Sequence, residues 1–513
     1  MRNNISKTSK SLLNAKVSFI FYVANLVLQF YSRKIFLDYL GSEILGLNAT
    51  MQNIIGFLNL AELGIGSAIA YHLYKPLYHK NYNEINDIIS IQGWLYKKIA
   101  IIIISLSILL LPFLPKIFSK TDISLLYIYG SFIALLTSAL LSYFINYKQI
   151  LLSADQKEYK IIKNVQGFKF IKVCTQTLAI IFIAQGYLAW ILLEIIFAFL
   201  TSFFLNNTIA KEYPLLNVSS KLGKLKYKEY PVIITKTKQI FFHRIAAFVL
   251  TQTSPLIIYS YASLTLVAIY TNYMLIVTGL TQLTNGLMNS INAGIGSLIA
   301  EGNKEKIIKT FWDLTLLRIW IASIICFTFY CISNKFIILW VGENYLLETT
   351  PVLLITIILF ISLTRTNDYF IAGYGLYQDV WASGTEAILN LALSIILGKV
   401  WGLTGTLSGI LTSLVIIILI WKPFFLFKFG FKINFINYIT KYTKFIVLMS
   451  IAGLLSKILD NYLNTKICNN YEELIQYTLL ILIEYSVISF IILLLLEKNT
   501  YSLIVRFKQI LKL

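Results

Sequence analysis

The sequence predicts an all-α integral membrane protein of about fourteen transmembrane helices, and three observations carry that prediction. First, 57% of the residues are hydrophobic and only 13% are charged, about half the charged share of a soluble chain; the mean hydropathy is +0.72. Second, the apolar residues arrive in blocks of roughly twenty, the length a helix needs to cross a hydrocarbon core. Third, Lys and Arg fall between those blocks and crowd alternate loops.

The elements follow in order. A polar, basic start (Arg2, Lys7, Lys10, Lys16) precedes an apolar stretch too long for the core of a cleaved signal, so this stretch is read as the first span. The expected spans are roughly 17–39, 44–74, 94–117, 123–149, 164–185, 187–209, 239–261, 264–299, 311–334, 350–376, 383–399, 401–426, 439–459 and 474–496. The second and eighth are the most amphipathic. Pro112 and Pro115 close the third, and Pro351 opens the tenth, where a missing N–H costs least.

Charge tests this order. Of 44 Lys and Arg, 35 fall on one side, counting Lys169 and Lys172 near the start of the fifth span. Eight fall on the other (Arg33, Lys34, Lys116, Lys120, Lys335, Lys399, Lys457, Lys466), and Arg365 is left in mid-helix. Such alternation places both termini in the cytoplasm of a bacterial inner membrane. It also accounts for the net charge of +20, which therefore argues against a nucleic-acid partner. Cys174, Cys326, Cys331 and Cys468 form no CxxC pair, and His72, His79 and His243 make no ligand cluster. Neither a metal, nor a cofactor, nor a disulfide is expected.

The chain resembles itself at an offset near 222: Leu45-Gly46-Leu47-Asn48 meets Val267-Ala268-Ile269-Tyr270, and Gln156-Lys157 meets Gln378-Asp379. Gly64-Ile65-Gly66-Ser67-Ala68-Ile69-Ala70 matches Gly294-Ile295-Gly296-Ser297-Leu298-Ile299-Ala300 at six of seven positions, at an offset of 230, so the registers differ by gaps. An offset of six helices, an even number, relates two lobes in parallel about an axis along the membrane normal. The expected organisation is a six-helix lobe over 1–210, a basic cytoplasmic linker over 211–238, a second six-helix lobe over 239–430, and two further helices with a tail over 431–513.

Ionisable groups in hydrocarbon cost roughly 2.5–3.5 kcal/mol on insertion scales, so those inside spans mark cavities or partners. Arg33 either holds an anion in a cavity or extends with Lys34 to the outer headgroups. Arg365 and Asp368 lie three apart on one helical face, either as a structural pair or lining a lumen where Arg365 exchanges Asp368 for a substrate phosphate. Glu62 is the deepest lone acid of the first lobe and, with Asp368, a candidate for ion coupling. Arg244, beside His243, and Arg318 either greet an anionic headgroup from inside or serve only to orient helices. Asn48 and Asn59 on the second span, and Gln282 and Asn289 on the eighth, belong to polar stripes repeated in both lobes. Amides donate and accept at once, which suits sugar hydroxyls as well as helix–helix contacts.

The segment Arg33 … Leu40-Gly41-Ser42-Glu43-Ile44-Leu45-Gly46-Leu47 resembles the Arg…LG-x-E-x-x-G signature of polysaccharide-exporter proteins. Gly302-Asn303-Lys304-Glu305 and Gly398…Trp401-Gly402-Leu403-Thr404-Gly405 look like other stretches common in that family, and the similarity runs over nearly the whole chain. The family is the O-antigen/capsule flippases (Wzx type) of the multidrug/oligosaccharidyl-lipid/polysaccharide (MOP) exporter superfamily. The resemblance implies two lobes around a cationic lumen, and export of an undecaprenyl-pyrophosphate-linked oligosaccharide between leaflets. It implies a monomer among membrane lipids, beside a polysaccharide polymerase and chain-length machinery. Arginines would meet the pyrophosphate and the polar stripes the sugars.

Two other readings come from different classes. A multidrug cation antiporter of the same superfamily typically has twelve helices and an acid inside the first; here no acid precedes Asp38, at that helix's outer end. A membrane polymerase or glycosyltransferase would need a large outer loop or paired acids, whereas the outer loop near 460–473 is short. No nucleotide loop or nucleophile–base pair is present, so no catalytic residue is expected.

Overall fold

The structure, a computed structural model, describes residues 7–59, 65–231, 233, 253–376, 380–463 and 468–497. Every regular element among them is helical. Ten helical stretches among the described residues are long and apolar enough to cross a membrane. The chain forms two compact units, Met1–Ala268 and Ile269–Leu513.

In the first unit, α1 (Lys7–Leu58) bends at Gly41, whose φ of 80° is open to glycine without a Cβ penalty. Beyond the bend, Gly46 lets α1 press against the chain at Leu264; a Cβ there would sit 2.1 Å from the Leu264 carbonyl oxygen. The second expected span, 44–74, is divided between the end of α1 and α2 (Ile65–His79). Then come α3 (Tyr82–Leu110), α4 (Leu125–Phe144), α5 (Glu158–Phe182) and α6 (Gly186–Glu212). α5 packs along both α1 and α6, and α4 packs on α6. Ile88, Ile89, Ile103, Leu151, Leu152 and Leu205 form the buried core. A short α7 (Ser220–Lys226), capped by the Ser219 hydroxyl, lies on α3, where Gly223 touches the Ser90 backbone. Near it, Lys157 bridges Asp155 at 2.6 Å and Glu212 at 3.1 Å. Burial alone would lower the Lys157 pKa, but the hydrogen bonds and charges of those two acids prevail and raise it. The seventh expected span, 239–261, lies outside the described residues until 253, after which α8 (Ser254–Tyr261) is helical.

α9 (Leu264–Ala300) leads into the second unit, which continues with α10 (Lys304–Val341), α11 (Thr349–Leu363) and α12 (Thr366–Gly373). Asn303 starts α10 by accepting from the Lys306 amide, and Gly342, at φ 104°, ends it. In α13 (Val380–Leu414) the chain reverses at Trp401–Gly402. Past the reversal, a Cβ at Gly405 would meet the Leu397 carbonyl oxygen at 1.9 Å. Ser394 donates to the Thr406 carbonyl, and Asn390 to the Ser413 hydroxyl. These contacts between the two arms realise the expected pair 383–399 and 401–426 as a tight hairpin. Its second arm continues as π-helical turns through Val415–Trp421 and Leu426–Phe431, around Lys422–Phe425. α14 (Ile436–Leu463) and α15 (Tyr471–Leu496) lie against α10. Trp320 donates to Ser489 at 2.9 Å, Tyr485 donates to the Met449 carbonyl, and the Phe327 and Tyr485 rings stack at 4.6 Å. The core of this unit is aromatic, built on Phe311, Trp312, Phe370, Phe427, Phe431 and Tyr438.

Candidate functional site

The expected tenth span, 350–376, is not one helix. α11 stops at Leu363 and α12 begins at Thr366, with Arg365 at ψ 52° between them. The local sequence Thr364-Arg365-Thr366-Asn367-Asp368 explains the break, because short polar and β-branched side chains compete with the helix for its backbone groups. Thr364 turns back to donate from its hydroxyl to the Phe360 carbonyl at 3.0 Å.

A broken helix frees carbonyls that must find donors. The Leu363 carbonyl finds Nε of Arg318 at 3.0 Å, and the Arg318 guanidinium lies 4.7 Å from the Tyr369 ring centroid. Arg318 is buried. The structure therefore gives this expected cargo residue a role in joining α10 to the break.

Asp368 sits in the first turn of α12, where the helix dipole favours an anion. It binds two cations: Nε of Arg365 reaches Oδ2 at 2.7 Å, and Nζ of Lys422 reaches Oδ1 at 2.6 Å. Glu386, on the first arm of the α13 hairpin, is coupled electrostatically to these same three groups. It is 2% exposed, and its Oε1 has no hydrogen-bond partner among the described residues. Thr366 Oγ1, Asn367 Oδ1 and Trp421 Nε1, all beside these charges in sequence, are likewise buried without a partner. The Arg365 and Asp368 side chains remain 35% and 28% exposed. Both lie within the spanning segment Thr349–Gly373, where an ionisable group needs a partner, and here each partners the other.

The first unit holds a second charged group. Nζ of Lys172 on α5 binds Glu194 Oε1 on α6 at 2.7 Å, and Gln176 donates to Glu194 Oε2 at 3.1 Å. Lys169 lies one turn earlier on α5, exposed. Both stand within the spanning helix Glu158–Phe182, inside the expected fifth span 164–185. The signal that could have found them is Glu194, an acid in an apolar run that must have a cation beside it.

Of the residues singled out in the sequence, Arg365 and Asp368 meet directly, with Arg318 adjoining them through Leu363 and Tyr369. Asn48 accepts from the Tyr187 hydroxyl at 2.9 Å, and Asn59 accepts from the Tyr143 hydroxyl at 3.0 Å, so both oxygens serve packing within the first unit. Arg33 is half-buried on α1, and Gln282 is exposed on α9. Asn289 lies on α9 with its side chain outside the description, and Glu62 and Arg244 lie outside the described residues. Lys422, Glu386, Lys172 and Glu194 complete the two charged groups and were not read as site residues. No group of three His, Cys, Asp or Glu side chains among the described residues could hold a metal ion.

The arrangement defines a multi-pass membrane protein with a partly exposed cluster of paired charges at a helix break in its second unit. Its fold is that of solved MOP-superfamily proteins. The lipid II flippase MurJ, in an inward closed conformation, is similar with a TM-score of 0.65 at 16% identity, over 93% of this chain and 99% of that one. An inward-facing multidrug resistance MATE family transporter of the MOP superfamily is similar with a TM-score of 0.57 at 12% identity, over 81% of this chain and 97% of that one. An outward-facing form gives 0.50 at 12% identity, over 82% and 96%. No protein-family model and no curated protein sequence matches the chain.

Proposed function

We propose that this protein is a lipid-linked oligosaccharide flippase, moving an undecaprenyl-pyrophosphate-linked O-antigen or capsule unit from the cytoplasmic to the periplasmic leaflet. The observation that carries the reading is a pair of cations, Arg365 and Lys422, that converge on one carboxylate at the helix break. Such a pair offers charge-assisted donors to an anionic headgroup. The two six-helix lobes, 1–210 and 239–430, would rock about the cargo path, with both termini in the cytoplasm and the basic segment 211–238 against anionic lipid. The protein acts as a transporter and not as an enzyme, in the inner membrane, alongside the polymerase and chain-length machinery that consume its product.

A second reading, a MATE-like exporter, draws on the fold shared with those transporters. Against it stands the extent of the match. The MATE structure is spanned almost entirely yet leaves about a fifth of this chain uncovered, whereas MurJ covers nearly all of it. Deleting the gene in its host decides between them. Loss of surface polysaccharide, with precursor trapped in the inner leaflet, is the expected result. Normal precursor in the outer leaflet together with new drug sensitivity would overturn it in favour of efflux.

A further inference from the structure

Four charged side chains gather at the break between α11 and α12, and they are not equivalent. Asp368 is occupied on both oxygens. Glu386 is the more deeply buried acid, and its Oε1 is bound by nothing among the described residues. The elements packed on the first arm of α13 bring few charges. α11 contributes none, nor does Val415–Trp421, so among the described residues the groups that act on Glu386 are Arg365, Asp368 and Lys422. With Glu386 ionised, two cations face two acids and the cluster is neutral. With Glu386 protonated, it carries one net positive charge. Glu386 is the acid with an oxygen that no donor reaches among the described residues, whereas both oxygens of Asp368 are bound by cations.

We propose that Glu386 sets the anion affinity of the Arg365–Lys422 pair by gaining and losing a proton. The ligand class is a phosphate-like dianion, and the inference rests on the flippase reading only for the identity of its natural source. Protonation removes the competing carboxylate charge and leaves Arg365 and Lys422 with cationic capacity beyond Asp368. Reciprocity requires that an anion binding at the break draw a proton onto Glu386, and that loss of the proton weaken the hold on the anion. The unpartnered Trp421 indole N–H, next to Lys422 in sequence, supplies a neutral donor of the kind an oxyanion takes.

The test is calorimetric titration of the purified full-length protein with sulfate, a dianion that does not itself titrate between pH 5 and 8. Wild-type affinity should fall about tenfold across that range, the effect expected of one added charge at close range in a partly screened site. Binding should also take up protons, visible as heat that depends on the buffer's ionisation enthalpy. Glu386→Gln should bind with the low-pH affinity at every pH and take up no protons, and Glu386→Asp should restore both dependences. A Glu386→Gln protein with the wild-type pH slope and proton uptake overturns the proposal. So does a wild-type protein whose sulfate binding is absent or independent of pH, a result that needs no variant to fold. Inorganic pyrophosphate and farnesyl pyrophosphate then separate the sources. Tighter binding of the farnesyl compound supports the inference and a lipid-linked cargo together. Equal affinity supports the inference while removing the flippase reading.

Discussion

Arg318 was a candidate for cargo binding in the sequence and is a tie across a helix break in the structure, so replacing it separates the two roles. Arg318→Met keeps much of the apolar stem and removes two interactions. One is the charge-assisted bond from Nε to the Leu363 carbonyl at 3.0 Å, and the other is the guanidinium over Tyr369 at 4.7 Å. A bond from a charged donor is worth about 1.5–3 kcal/mol, and a desolvated cation–π contact adds about 1–2 kcal/mol. The two sum to about 2.5–5 kcal/mol, and because Met keeps much of the packing of the apolar stem the expected loss lies toward the lower end, about 3 kcal/mol. For a unit of this size that corresponds to a fall in melting temperature of roughly 6–12 °C. Arg318→Lys should recover only part of it, since an ammonium can donate but cannot stack as a plane. The assay is fluorescence-detected gel filtration after heating in detergent, alongside sulfate titration at low temperature, where the variant is still folded. An unchanged melting temperature with lost sulfate binding would refute the structural account and return Arg318 to the cargo.

Two further predictions test the packing. Lys172→Met alone should destabilise the protein by about 3 kcal/mol by stranding the Glu194 carboxylate, whereas Lys172→Met with Glu194→Leu should recover most of that loss; a double variant as unstable as the single one would show that the pair is not the reason. Gly405→Leu should abolish accumulation of folded protein, since its first carbon would meet the Leu397 carbonyl oxygen at 1.9 Å, while Gly384→Ala, with open space around it, should accumulate normally; equal yields by fluorescent gel filtration would contradict the hairpin.

The membrane fold was legible because it rests on features sequence displays directly: apolar blocks of spanning length, and cations crowded between them. The hairpin in α13 was legible for a related reason, as Gly398…Gly402 and Gly405 punctuate two apolar runs. The break at Thr364–Arg365 was not. Hydropathy averages over it, and its cause is a competition between side chains and backbone that only five residues express. Arg365 and Asp368 were found because a mid-span charge is costly wherever it points. Lys422 and Glu386 were missed because each sits near the end of an expected span, where the same charge is ordinary. Only the fold, by returning the α13 hairpin to the start of α12, makes them neighbours of Arg365. Lys169 and Lys172 lie inside the expected fifth span but were counted with the cytoplasmic cations, and the pairing of Lys172 with Glu194 went unread because the two stand on different spans.

The pairing of Lys172 with Glu194 bears on what the charged groups do. A buried pair such as Lys172–Glu194 stabilises a fold little more than well-packed apolar side chains would, and often less. In a membrane the case is weaker still, since an unpaired member of the pair is costly while the chain is inserted. Stability alone therefore does not explain two separate charged groups inside the spanning helices of this chain. They differ in a way that suggests different duties. Lys172 and Glu194 are satisfied by each other and by Gln176, an arrangement that fixes α5 against α6. At the helix break, Asp368 is saturated while Glu386, Thr366, Asn367 and Trp421 keep unpartnered polar atoms. A saturated network holds one geometry. A network with spare donors and acceptors can exchange partners, and exchange is what the proposed binding and release of an anionic cargo would require.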